Sequence, residues 1–145
     1  MQPCDFCHIR DNPHEGVIEQ TFLSLAFMDK HPIARGHCLV TTKKHHESLM
    51  EVSDEELLDL FQLVARIEKA LLRAGLGEGV DLRQHFRPFL PEGKYVKRHV
   101  HVHLVPRREG DAIFTEAAVK EMGLRREPSE STLFKVAGDI RKALK

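Results

Sequence analysis

The sequence carries no excess charge of either sign: over 145 residues, Lys plus Arg and Asp plus Glu each total 22. A neutral chain has no overall pull toward nucleic acid, membrane or acidic partners. Neither nucleic acid nor membrane is therefore expected as a partner, and any anion site must be built locally. Long apolar runs are also missing, and the opening Met-Gln-Pro-Cys-Asp-Phe-Cys lacks a basic region followed by an apolar one. No membrane span and no secretion leader is expected. Cysteine is scarce: Cys4, Cys7 and Cys38 make an odd count that describes no disulfide framework. A reducing compartment is expected, here the cytoplasm. With no internal repeat, low-complexity tract or linker, residues 1–145 read as one domain, long enough to bury roughly two-thirds of its unfolded surface.

Histidine is what the chain has in quantity. Of ten, four fall between His31 and His46 and three between His99 and His103.

Between residues 16 and 29 two short runs rich in Val, Ile, Phe and Leu predict a pair of strands, broken by Asp29-Lys30-His31-Pro32. After Gly36, His37 to Thr42 reads as a third strand with His37 at its start. Ser53-Asp54-Glu55-Glu56 is a capping box. It opens a long helix to about Arg73, with Leu57, Leu60, Phe61, Val64, Ile67 and Leu71 at helical spacing and Gly75 and Gly77 as the stop. Val80 to Phe89 mixes strand formers with Arg and His and ends in an irregular loop around Pro88 and Pro91. Arg98 to Val105 reads as a strand ended by Pro106. Helical patterns follow around Phe114–Met122 and, after Pro128 and Ser129, through Leu133, Ala137, Ile140 and Leu144. The last should lay one face on the sheet or on a second subunit. The expected class is α+β, with the helices on one side of the sheet.

His99-Val100-His101-Val102-His103-Leu104 alternates imidazole and aliphatic residues, so a strand puts three imidazoles on one face and the aliphatic side chains on the other. A half-buried strand with a polar outer side would be served equally by Thr, Lys, Glu or Ser. Imidazoles roughly 7 Å apart along a strand suit either a metal or phosphoryl chemistry. In the second case a neutral imidazole attacks phosphorus near pH 7 while a neighbour donates to a phosphate oxygen or the leaving group. The flanking charge favours that case: from Glu92 to Arg108, five cations (Lys94, Lys97, Arg98, Arg107 and Arg108) face one carboxylate. A solvated basic face is the plainer reading of the same cluster.

The segment His99–Arg107, with Ala26-Phe27-Met28-Asp29-x-x-Pro32-x-x-x-Gly36-His37-x-Leu39-Val40 and Lys43-x-His45, resembles the histidine-triad (HIT) superfamily of nucleotide hydrolases and transferases. The likeness spans about residues 4–107, leaving 108–145 as a C-terminal helical extension. It implies an antiparallel sheet with a long helix packed on it, a homodimer, and a nucleotide substrate held in a cleft over the sheet. It further implies hydrolysis or transfer at the α-phosphate of a dinucleoside polyphosphate or nucleoside phosphoramidate. In that scheme His101 attacks and forms a covalent nucleotidyl-histidine, His103 and His37 contact the phosphate oxygens, and Asp29 accepts from the ribose hydroxyls. An Asp before a Pro-containing turn is also an ordinary turn residue. The chain departs from the family just before the triad, where Lys94-Tyr95-Val96-Lys97-Arg98 replaces the usual Gln-Ser-Val, so Lys97 and Arg98 are the residues expected to meet substrate phosphate there. An asparagine usual on the preceding strand has no counterpart among Asp81, Arg83, Gln84 and Arg87.

Cys4-x-x-Cys7 has zinc-knuckle spacing, a weak signal without two more ligands. His45 and His99 resemble the remaining ligands of zinc-containing bacterial members of the family. Four protein ligands would close the shell, making the zinc structural. A reduced pair or a disulfide is the competing reading, and His46 is the alternative ligand if the register is off by one. His8, His14, His31 and His85 read as surface or satisfied histidines. Two other functions are open: a nucleotide-binding module with little turnover, favoured by the altered segment at 94–98, and a zinc-handling protein built on the His and Cys content.

Overall fold

The computed structural model describes residues 3–144. The first two residues of the opening stretch read above for a leader, and the last residue of the C-terminal extension, lie outside it. The described residues form two compact units, one ending at Glu109 and one beginning at Gly110.

The first unit is built on a five-stranded antiparallel sheet in the order β1-β2-β3-β5-β4. Its strands are β1 (Val17–Gln20), β2 (Ser24–Met28), β3 (Cys38–Thr42), β4 (Gly79–Arg83) and β5 (His101–Arg107). Alternation along β2 and β3 sends residues to opposite faces, and both faces are covered. Ala26, Cys38, Val40, Val102 and Leu104 point to one side, where they pack against Leu60, Leu63, Val64, Ile67 and Leu71 of α2 (Asp54–Arg73). Leu25, Phe27 and Leu39 point to the other and pack against Phe6 of α1 (Asp5–Asp11). The helices are therefore on both faces, not on one as the sequence suggested. The seven-residue α1 carries a single buried residue, Phe6, too few for a periodic signal.

The ends of α2 follow from the sequence. Ser53 Oγ accepts from the Glu56 amide at 3.2 Å and Glu56 Oε2 accepts from the Ser53 amide at 3.1 Å, a complete capping box. At the other end Gly75 takes φ 71°, with Leu76 N donating to Leu71 O and Gly75 N to Leu72 O. That is the glycine-dependent Schellman stop. The buried stripe runs through Leu63, whereas Phe61 is 45% exposed. Leu63→Ala should lower stability by about 2–5 kcal/mol, as for a buried leucine losing most of its side chain. Phe61→Ala should cost less than about 1 kcal/mol in the same urea titration.

Two strand boundaries differ from expectation. β5 starts at His101 rather than Arg98 and continues through Pro106 to Arg107. β3 begins at Cys38 opposite Leu104, so residue 106 has a sheet partner on the β4 side alone, opposite Val80. At such a one-sided position a missing N–H costs little. β4 ends at Arg83, well before Phe89. Gly36, with φ 88°, turns the chain into β3, and a Cβ there would stand 3.1 Å from Leu76 Cδ1 and 3.2 Å from Pro106 Cγ.

The second unit holds a π-helical stretch, Phe114–Ala118, running into α3 (Val119–Met122), and then α4 (Glu130–Ala143), whose start is capped by Ser129 accepting from Thr132 N. No residue of α4 is buried. Among the described residues no helix is long and apolar enough to cross a membrane.

Candidate active site

The pairing of β3 with β5 sets Leu39 opposite His103 and Thr41 opposite His101, which brings His37, one residue ahead of β3, beside the triad. His37 Nε2 lies 2.9 Å from His103 Nδ1, and His103 Nε2 lies 3.2 Å from His101 Nε2. Backbone groups at the two ends fix which nitrogens carry protons. Ile33 N–H donates to His37 Nδ1 at 3.2 Å, so the proton of neutral His37 is on Nε2, facing His103. His101 Nδ1 lies 2.6 Å from the carbonyl oxygen of His99 and must donate to it. The chain then reads in one direction: His37 Nε2–H to His103 Nδ1, and His103 Nε2–H to the lone pair on His101 Nε2. An imidazole held this way, with Nε2 as the electron pair, is competent as a nucleophile. The donor on His103 and the Asp29 carboxylate, 3.3 Å from His37 Nε2, complete the group.

Burial favours the neutral form of all three imidazoles. It pushes His103 down to about 3, helped by His101 and His37, and lowers His101 against the opposing bond to the His99 carbonyl. His37 is also lowered by burial, with Asp29 pulling the other way. Below pH 6.5 the unfolded imidazoles take up protons while the folded ones stay neutral, so stability falls as pH drops through that value. His103, held near 3, should by itself cost up to about 2 kcal/mol at pH 5. Melting curves between pH 7.5 and 5 should show a smaller acid loss for His103→Asn than for the unsubstituted chain.

A cleft of about 830 Å³ opens over these histidines. On one side it is walled by Phe27, Ile33 and Leu39 together with Asp29. Asp29 is a turn residue here, Oδ1 accepting from His31 N at 2.7 Å, while Oδ2 faces His37 and, at 3.8 Å, His103. On the other side residues 84–98 form an irregular loop that walls a smaller recess. Lys97 and Arg98 line that recess, but both are engaged within the protein. Lys97 Nζ is 2.6 Å from Asp5, and Arg98 reaches the carbonyls of Pro88 and Leu90. His85, read from sequence as a surface histidine, lines both parts of the cleft, with its ring 5.4 Å from that of His103. The signal for it was the sheet register: Arg83 pairs with His103, so position 85 falls beside position 101.

The second expected cluster also assembles. Ligand atoms of Cys4, Cys7, His45 and His99 all lie within 4.8 Å of one another. Cys4 Sγ is 3.2 Å from His99 Nδ1, and Cys7 Sγ is 3.6 Å from His45 Nδ1 and 3.7 Å from His99 Nδ1. A tetrahedral zinc with metal–sulfur bonds near 2.3 Å and metal–nitrogen bonds near 2.0 Å puts neighbouring ligand atoms about 3.3–3.8 Å apart, so the donor set fits. His99 Nε2 donates to the Thr42 carbonyl at 2.7 Å, which leaves the Nδ1 lone pair facing the cysteines. Burial lowers His99 to about 4, keeping it an unprotonated donor. The alternative His46 is not part of this set. It is buried against Glu56, with Nε2 3.0 Å from Oε1.

Comparison with known proteins identifies the family and the fold. The HIT domain family matches residues 10–110. Adenosine 5'-monophosphoramidase of Schizosaccharomyces pombe is 33% identical over 108 residues, covering 72% of this chain and 74% of that protein. Bis(5'-nucleosyl)-tetraphosphatase of the same organism is 30% identical over 121 residues, covering 74% of this chain and 60% of that protein. A crystal structure from Streptococcus mutans superposes with a TM-score of 0.82 at 27% identity, covering 100% of this chain and 87% of that one. The chain presented here belongs to the HIT domain family.

Proposed function

We propose that the chain is a nucleotide hydrolase or nucleotidyl transferase that works through a covalent nucleotidyl-histidine on His101. The observation that carries this reading is the fixed tautomer of His101, with Nδ1–H on the His99 carbonyl at 2.6 Å and the Nε2 electron pair in the cleft. Nε2 attacks the α-phosphorus, a P–N bond forms, and the bond to the leaving group breaks with its electrons going to that group. The positive charge on the phosphorylated ring is stabilised through Nδ1–H by the carbonyl. His103 Nε2–H, freed from His101 by the incoming phosphorus, donates to a phosphate oxygen, with His37 and Asp29 behind it; a donor of this kind is worth about 10²–10³ in rate. Water then attacks the same phosphorus and gives up a proton to solvent, the P–N bond breaks with its electrons returning to Nε2, and free His101 and a nucleoside monophosphate result. Two relatives named for cleavage of different bonds, a phosphoramide and a tetraphosphate, support the reaction class without choosing the bond.

In the same reading the apolar wall of Phe27, Ile33 and Leu39 takes the base and Asp29 the ribose hydroxyls. Cys4, Cys7, His45 and His99 hold zinc, and because all four positions are protein ligands its part is structural. The test is turnover of diadenosine tetraphosphate and adenosine phosphoramidate. At least one should be cleaved, and cleavage should be lost in His101→Ala. If neither is cleaved while AMP binds, the chain is a nucleotide-binding module and the enzyme reading is wrong.

A further inference from the structure

The loop of residues 84–98 is built more carefully than a connector between β4 and β5 needs to be. Arg98 holds it from beneath through the carbonyls of Pro88 and Leu90, its own amide meets Glu92 Oε1 at 3.4 Å, and Gly93 N bonds Val96 O at 2.9 Å. With the backbone held in this way, Arg87 and Lys94 stand on the cleft with no carboxylate partner among the described residues. Lys94 sits over the Tyr95 ring at 5.2 Å, and Tyr95 is edge-on to His31 at 5.5 Å. Arg98 Nε, at the same recess, is buried without a hydrogen-bond partner. One carboxylate, Glu47, also lines the recess. His101 and His103 lie between this cationic wall and the apolar wall that carries Asp29.

We infer that Arg87 and Lys94 form a leaving-group subsite that selects a substrate whose departing group is a chain of phosphates rather than an amine. The inference rests on the nucleotidyl-transfer reading above and names the side of the α-phosphorus from which the leaving group departs. A nucleoside placed against Phe27 and Asp29 would leave the loop side of the cleft, lined by Arg87 and Lys94, for the group beyond the α-phosphorus. An oligophosphate leaving there gains negative charge beside two cations, Arg87 and Lys94, that have no carboxylate partner among the described residues. A departing amine gains a proton and is repelled by the same groups. Arg87 provides a planar fork for phosphate oxygens and Lys94 a point charge.

The test separates binding from turnover. In His101→Ala, ATP should bind about tenfold more tightly than AMP at physiological ionic strength, and adding Arg87→Gln with Lys94→Gln should bring the two affinities within about twofold of each other. The same number of charges removed from the exposed face of α2, by Lys69→Gln with Arg73→Gln, should leave the ATP-to-AMP ratio unchanged, which rules out a general charge effect and serves as the folding control. In the otherwise unsubstituted enzyme, the loop pair should lower the ratio of kcat/KM for diadenosine tetraphosphate over that for adenosine phosphoramidate by about tenfold. Equal affinity for ATP and AMP in His101→Ala, or a kcat/KM ratio that the loop pair leaves unchanged, overturns the inference. A clear ATP preference that depends on Arg87 and Lys94, in a protein that cleaves neither substrate, leaves the subsite standing and removes the nucleotidyl-transfer reading instead.

Discussion

Replacing His101 by alanine should reduce turnover by at least about 10³-fold, equivalent to roughly 4 kcal/mol of transition-state stabilisation. The size follows from the role: a lost nucleophile removes the covalent route, whereas a lost donor weakens only one stage of it. His103→Gln should therefore cost less, about 10²–10³, and Asp29→Asn less again, because Asp29 reaches the phosphate only through His37 and His103. Folding is the obvious confounder. His101 is 7% exposed and satisfies the His99 carbonyl, so its loss should cost about 1–3 kcal/mol of stability. Retained AMP binding in a variant that melts somewhat lower but cooperatively separates the chemical loss from a structural one.

Removing zinc should lower the melting temperature by about 10 °C, which for a chain of this length corresponds to about 3 kcal/mol. This is well below the figure for an isolated zinc finger, because the sheet and α2 have a core of their own. The loss should fall on α1. That helix has seven residues, Cys4 at its N-cap makes no side-chain capping bond, and a helix so short does not persist by itself in water. Two of the four residues proposed to hold the metal, Cys4 and Cys7, flank this helix's one buried residue, Phe6, which packs edge-on to His101 at 5.0 Å and against Phe27 at 5.2 Å. Metal analysis should find one zinc per chain, absent in Cys7→Ser, and that variant should melt like the chelated protein. A chain purified without metal whose melting temperature is unmoved by Cys7→Ser would leave the four residues as an unmetallated cluster.

What was legible in the sequence was what depends on local pattern. The two-residue period of His99–His103 and the serine–glutamate spacing of the capping box each need only a few adjacent residues; the capping box stands as read, and the period sends Val100, Val102 and Leu104 into the core although β5 itself begins only at His101. The Cys/His cluster was assembled through family likeness, since Cys4 and His99 are far apart in the chain and meet only when α1 folds onto the sheet. What sequence missed was set by partners distant along the chain. Helical spacing allows Phe61 or Leu63 on the buried stripe, and the rotation of α2 against the sheet decides for Leu63. Pro106 breaks a strand only where both neighbours need its N–H, and β3 stops short of it. His85 is exposed, as read; what no local property of Gln84-His85-Phe86 expresses is that it stands on the cleft with its ring 5.4 Å from that of His103.

The central claim is that His101 carries the nucleotidyl group. Quenching the enzyme in alkali within a single turnover of substrate, where a phosphorus–imidazole bond survives, and measuring intact mass, followed by peptide mapping at alkaline pH, tests it most directly. The account predicts one added nucleotidyl group per chain, on His101, that appears and decays with turnover and is absent in His101→Ala. Turnover at full rate with no adduct on His101, or with the adduct on another residue, would contradict it.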